Sequence, residues 1–172
     1  MPSTFAIALE REVPMRYALS ALLAIGMAGC QSMPSSESTK AEVGQAAQNW
    51  ASAFNSCDTI KATALYDSEA VLWGTVAPVI ITSSAGIRQY FERACSSSPK
   101  PRVVFGEQHI RVYGETAINS GTYTFTVFPG GQPLQFPARY SFTYRKGDGQ
   151  WLIVDHHSSA LPSPPQPSGS RQ

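Results

Sequence analysis

The residues best suited to chemistry lie near the end of the chain, in the run Asp155-His156-His157. A carboxylate beside imidazoles can orient a general base that titrates near neutral pH, which makes these three the catalytic candidates. Neighbours on a strand point to opposite faces, so Asp155 and His156 share a pocket only where a bulge intervenes. The plainer reading is a strand end, with one histidine bonded to a covering helix and the other facing solvent or a second subunit. No metal site is expected. A catalytic zinc takes three converging protein ligands, and the remaining histidine, His109, stands near the start of a different strand. The sequence holds no Gly-x-Ser-x-Gly, no HExxH and no phosphate-loop glycines, so no cofactor is expected, and Gly130-Gly131 reads as a hairpin turn. Arg139 is a candidate for holding an anion, or for pairing with Asp67, Glu69 or Asp155, because a charge in a narrow cavity needs a partner. Trp73, Tyr90, Phe91 and Tyr123 suit either an aromatic wall around a ligand or plain core packing.

The elements that must position these groups are legible from periodicity. Val43, Ala46, Ala47, Trp50, Ala51 and Phe54 recur at three- and four-residue steps, predicting a helix from residue 39 that ends at Asn55-Ser56. Asp58 caps a second, short helix through residue 66. Two apolar runs, residues 70–73 and 79–82, are separated by Gly74 and Pro78 and suit a small hairpin. Ser83-Ser84 caps a third helix, with Ile87, Tyr90, Phe91 and Ala94 inward, stopped by Pro99 and Pro101. Four strands follow at residues 103–113, 116–128, 135–146 and 151–159, joined by glycine turns into an antiparallel meander. Along the third of them Phe136, Ala138, Tyr140, Phe142 and Tyr144 alternate with Arg139, Ser141, Thr143 and Arg145. An apolar face of that size meets either helices or a second subunit. The expected class is α+β: three helices on a curved antiparallel sheet of four long strands plus a short hairpin, with a pocket between the layers.

The chain of 172 residues suits one domain with segments left at both ends, and its net charge of +1 gives no basic footprint for nucleic acid. Apolar residues at 42% are enough to fill a core. Residues 15–30 read MRYALSALLAIGMAGC, the charged, apolar, small-residue order of a secretory signal, with an apolar run too short for a lasting membrane span. Glu10 and Glu12 fit poorly ahead of that signal, which points to Met15 as the true start. The final four residues resemble the lipobox of bacterial lipoproteins. That resemblance implies lipidation at Cys30, although Met27 stands where leucine is usual. Gln31 and Ser32 carry no acidic retention cue, so an outer-membrane anchor facing the periplasm is favoured. Ordinary cleavage, leaving a free periplasmic or secreted protein, is the alternative. Residues 31–38 read as a flexible tether, 39–160 as the domain and 161–172 as a disordered Pro/Ser-rich tail. Export makes a Cys57–Cys95 disulfide one reading, with two buried thiols as the other.

The stretches HIRVYGETAINSGTYTFTV (residues 109–127) and PARYSFTYRKGDGQWLIVDHHSSALP (residues 137–162) resemble the C-terminal half of the NTF2-like superfamily. They are most similar to the association (hub) domain of calcium/calmodulin-dependent protein kinase II and its stand-alone bacterial relatives, grouped with the SnoaL-like and DUF4440 proteins. The resemblance runs over residues 40–162. It implies an NTF2-like cone, a scaffold that serves isomerases, dehydratases, cyclases, transport adaptors and oligomerising hubs alike. In the hub, pocket arginines suit a carboxylate ligand. The positions aligned on GDGQW here hold Tyr123, Ser141 and Ser158, so acid binding does not carry over, and Arg139, on the face of Ser141, is left to supply positive charge. No kinase domain is read in the sequence, and phosphotransfer is not expected. The expected function is a non-catalytic envelope module that forms at least a dimer through the sheet, binds a small organic molecule, or does both. Its ligand candidates are Arg139, Ser141, Tyr123, Asn119, Trp73, Tyr90, His156 and Ser158. A cofactor-free isomerase or dehydratase of the SnoaL or ketosteroid-isomerase type is the first alternative. A purely oligomeric hub with a vestigial pocket is the second.

Overall fold

The computed structural model describes residues 35–162. The signal-like segment, Cys30, residues 31–34 of the expected tether and residues 163–172 of the expected tail lie outside the described residues. Helix α1 (Ser36–Asn55) starts three residues earlier than its apolar stripe suggests, because the Ser35 side chain caps it by accepting from the Ser38 amide. Residues 36–38, expected in the tether, are its first turn. Helix α2 (Thr59–Ala64) is capped by Asp58, and α3 (Ser84–Ala94) by Ser83. Residue 66, expected at the end of α2, instead opens a strand.

That strand, β1 (Tyr66–Trp73), is the main departure from expectation. It is not half of a hairpin. Only a single bridge, Leu72 to Ile81, links it to the second apolar run. It lies instead along the edge of the sheet, parallel to the last strand. The other strands are β2 (Arg102–Tyr113), β3 (Thr116–Val127), β4 (Leu134–Gly147) and β5 (Gln150–Ala160). They form the expected meander, and the full order is β1-β5-β4-β3-β2, a mixed sheet of five strands. The polar residues Asp67 to Glu69 at the start of β1 explain why the apolar pattern begins only at residue 70. Asp67 is buried there only because the Glu69 amide and the Arg145 guanidinium (2.6 Å) satisfy its carboxylate.

Two bulges interrupt the meander. One interrupts β2 between Phe105 and Gln108, facing Gly121 on β3. A Cβ on Gly121 would sit 2.0 Å from the Glu107 carbonyl oxygen, so only glycine lets the bulged backbone approach. The other lies in β5, where Thr143 pairs with Asp155 but Tyr144 pairs with Ile153, leaving Val154 as the extra residue.

The helices cover the aromatic face of the sheet, so no second subunit is needed to bury it. Trp50 of α1 is fully buried, and its ring lies 5.2 Å from Phe142 and 6.1 Å from both Phe105 and Tyr123. Polar bonds fix α1 at both ends. Glu42 accepts from Lys146 Nζ (2.7 Å) and Trp151 Nε1 (3.0 Å), while the Asn55 amide donates to the Val103 carbonyl and accepts from its N–H. Cys57 and Cys95 are joined as a disulfide, tying the α1–α2 turn to the end of α3.

Candidate functional site

A cavity of about 240 Å³ opens between α3, the loop after β1 and the inner face of the sheet. Its walls are Phe54, Tyr90, Phe91, Phe125, Val127 and Phe136, with Trp50 behind them. Tyr90 closes in so tightly that a Cβ on Gly74 would lie 2.4 Å from its ring, which is why the loop carries glycine there. Among the described residues no Asp, Glu, Lys or Arg lines the cavity; the polar lining is mostly hydroxyl and imidazole, from Thr75, Tyr123, His156 and Ser158, joined by Ser97 and the Tyr90 hydroxyl.

The β5 bulge decides which of the candidate catalytic residues reaches this cavity. Trp151 and Ile153 face inward; the extra residue then shifts the alternation, so His156 and Ser158 face inward as well. Asp155 and His157 are thereby turned to the other face, Asp155 half-buried and His157 exposed. The bulge precedes Asp155 and does not bring it together with His156.

His156 is held from both sides. Trp50 Nε1 donates to the Tyr66 hydroxyl (3.0 Å), which lies 2.7 Å from His156 Nδ1. On the far side Tyr123 Oη is 3.3 Å from His156 Nε2, and Tyr123 donates to Ser158 Oγ, which meets Thr75 Oγ1. Burial, aided by the neighbouring His157, pushes the His156 imidazole down to about 3. Burial likewise raises the Tyr66 and Tyr123 phenols above their ordinary range. At neutral pH every group in the cluster is therefore uncharged.

Four of the expected ligand residues, Tyr90, Tyr123, His156 and Ser158, line the cavity, and four do not. Arg139 lies on the outer face, where Nε donates to Ser159 Oγ at 3.1 Å. Ser141 shares that face and bonds Ser120 Oγ (3.1 Å). The alternation along β4 places both as expected relative to Tyr140 and Phe142, but the cavity is on the aromatic side. Arg139 therefore supplies it no charge. Trp73 is 45% exposed at the sheet edge. Asn119 is fully buried yet engaged elsewhere, donating to Gln108 Oε1 (2.9 Å) and accepting from Tyr140 (3.1 Å). The sequence reading missed Tyr66 and Thr75 and gave Trp50 only a core role. The position of Trp50 on the apolar stripe was the available signal; nothing marks the other two. Among the described residues no three His, Cys, Asp or Glu side chains converge as a metal site.

Residues 39–162 match the family described as the calcium/calmodulin dependent protein kinase II association domain. The chain belongs to this family. A solved member from Xanthomonas campestris, described as the same association domain, is 36% identical over 70% of this chain and 86% of its own, with a TM-score of 0.66. The hub homology domain of this kinase from Chlamydomonas reinhardtii superposes at a TM-score of 0.62, with 23% identity, over 73% of this chain and all of the other. A protein of the NTF2-like family from Streptomyces avermitilis, described as a dehydratase, reaches 0.69 at 14% identity, over 76% of this chain and 100% of its own. At identities this low the last two share the fold alone, and that fold is the NTF2-like cone. Among curated proteins, none matches.

Proposed function

We propose that the domain is a non-catalytic binding module that holds a small, uncharged organic molecule in this cavity and assembles with copies of itself. The observation that carries the reading is the cavity's composition: aromatic walls, no charged side chain, and one imidazole kept neutral by burial. Sites of this kind bind by shape and a few placed polar groups. An apolar cavity of about 150 Å³ accepts benzene, so the larger volume here suits one substituted ring or a short branched chain. An acid–base enzyme needs a group that titrates near the working pH. His156 is far below that range and Asp155 faces away, which favours binding over isomerase or dehydratase chemistry. Membership of an association-domain family supports self-assembly. The outer sheet face, which the helices leave open, is the surface we assign to it. Residues 15–30 and the Cys57–Cys95 bridge support location in an oxidising envelope, with Cys30 lipidated.

The test follows tryptophan fluorescence, to which Trp50 beside the cavity contributes, during titration with ethylbenzene and benzoate, alongside light scattering on the eluting protein. Saturable binding of ethylbenzene but not benzoate, by a protein at least dimeric, is expected. Tighter binding of benzoate would overturn the uncharged-ligand reading, and a monomer at high concentration would overturn assembly. Loss of palmitate incorporation in Cys30→Ser checks the anchor.

A further inference from the structure

We infer that the cavity's ligand carries a hydrogen-bond acceptor, such as a carbonyl oxygen, and that the site presents it with a single polarised hydroxyl at Thr75 or Ser158. This rests on the binding reading above and deepens it. The argument is a count of hydrogens along one chain. Trp50 Nε1–H can only donate, so it fixes the Tyr66 oxygen as acceptor. The Tyr66 hydrogen is then directed at His156 Nδ1, 2.7 Å away, which places the imidazole proton on Nε2. That proton faces the Tyr123 oxygen, and Tyr123 passes its own hydrogen to Ser158 Oγ. Ser158 and Thr75 share one bond and hold two hydroxyl hydrogens between them. Whichever way that bond runs, one hydrogen is left over, and both residues line the cavity.

The direction matters for specificity. Each group along the chain accepts before it donates, and such chains polarise in one sense. The last hydroxyl is therefore a strengthened donor and a weakened second acceptor. A ligand offering only N–H or O–H finds little there, and a carboxylate would enter a site with no cation. A neutral ring or short chain bearing a carbonyl satisfies both the walls and the leftover hydrogen.

The experiment compares ethylbenzene with acetophenone, near-equal in size and differing by one acceptor. On the full chain, acetophenone is expected to bind roughly five- to ten-fold more tightly, the effect of one hydrogen bond. Thr75→Val and Ser158→Ala together should bring the ratio of the two affinities to about one, whatever the absolute affinities become, with saturable ethylbenzene binding reporting that the cavity is still formed. Tyr123→Phe, which cuts the chain upstream, should reduce the ratio of acetophenone to ethylbenzene affinity. Equal binding of the two ligands by the unaltered protein would refute the donor and leave the binding module standing. Failure of both to bind would refute the module itself. A preference for acetophenone that survives the Thr75/Ser158 double variant would place the donor elsewhere and overturn the assignment.

Discussion

Acidification from pH 7 to pH 5 is expected to remove about 2 kcal/mol of stability through His156 alone. The imidazole titrates at about 3 in the fold, against about 6.5 for a histidine in an unfolded chain. Between those values the unfolded chain binds a proton that the folded one refuses, so stability rises with pH. The contribution is whole above about 6.5 and falls by about 1.4 kcal/mol for each pH unit below it, until about pH 3. The carboxylates do not confuse the window. Glu42, hydrogen-bonded to Lys146, and Asp67, bonded to the Glu69 amide and Arg145, both titrate below the ordinary carboxylate range. Their stabilisation is lost only as pH falls below about 4. Urea unfolding followed by tryptophan fluorescence at pH 7 and pH 5 measures the effect, expected as a fall of roughly 1 M in the midpoint. In His156→Gln the amide retains one acceptor for Tyr66 and one donor for Tyr123 but no titrating proton, and the shift should largely vanish. His109→Gln, on the exposed face of β2, is the control and should keep it. A protein equally stable at both pH values, or a His156→Gln variant with the same slope, would refute the buried, neutral imidazole.

Two further outcomes follow from how the elements are fastened. Replacing Cys57 and Cys95 by serine opens a link across 38 residues of chain, which the loop-entropy relation values at about 4 kcal/mol. Chemical denaturation of the double variant against the oxidised protein should show a loss of at least half that, and equal stabilities would mean the link constrains nothing. Gly121→Ala forces a methyl group into the Glu107 carbonyl, and overpacking of this kind costs roughly 1–3 kcal/mol or displaces the bulge. A thermal midpoint unchanged from the parent would show that the bulge is softer than its geometry implies.

The parts of the fold legible in the sequence are those that local patterns specify. The stripe from Val43 to Phe54 sits on α1, and the alternation from Phe136 to Tyr144 divides β4 into an aromatic and a polar face. Glycine turns at Gly114 and Gly149, both with positive φ, separate the strands of the meander. What pattern cannot carry is long-range choice. The segment Tyr-Asp-Ser-Glu at the head of β1 has no strand signature; it is extended because β5, far along the chain, offers a parallel edge and Arg145 neutralises Asp67. The β5 bulge is equally silent. Nothing in Leu152-Ile153-Val154-Asp155 marks the extra residue, yet it decides that His156 faces the core and Asp155 does not.

The misplacement of Arg139 has a physical lesson about the site itself. The resemblance to the hub implies a pocket built around arginines; Tyr123, Ser141 and Ser158 stand at those positions, and Arg139, two residues from Ser141 on β4, is the charge left for the pocket. A guanidinium inside this cavity would need a carboxylate partner, and the lining contains none. It would also face His156, whose imidazole is already driven to its neutral form by burial. The uncharged imidazole, the hydroxyls at Tyr123 and Ser158, and the placement of Arg139 on the solvent side are thus mutually dependent. With hydroxyls at Tyr123 and Ser158, the hydrogen bonds can run unbroken from Trp50 to Thr75 without any charge, and a neutral ligand is what such a chain is built to meet.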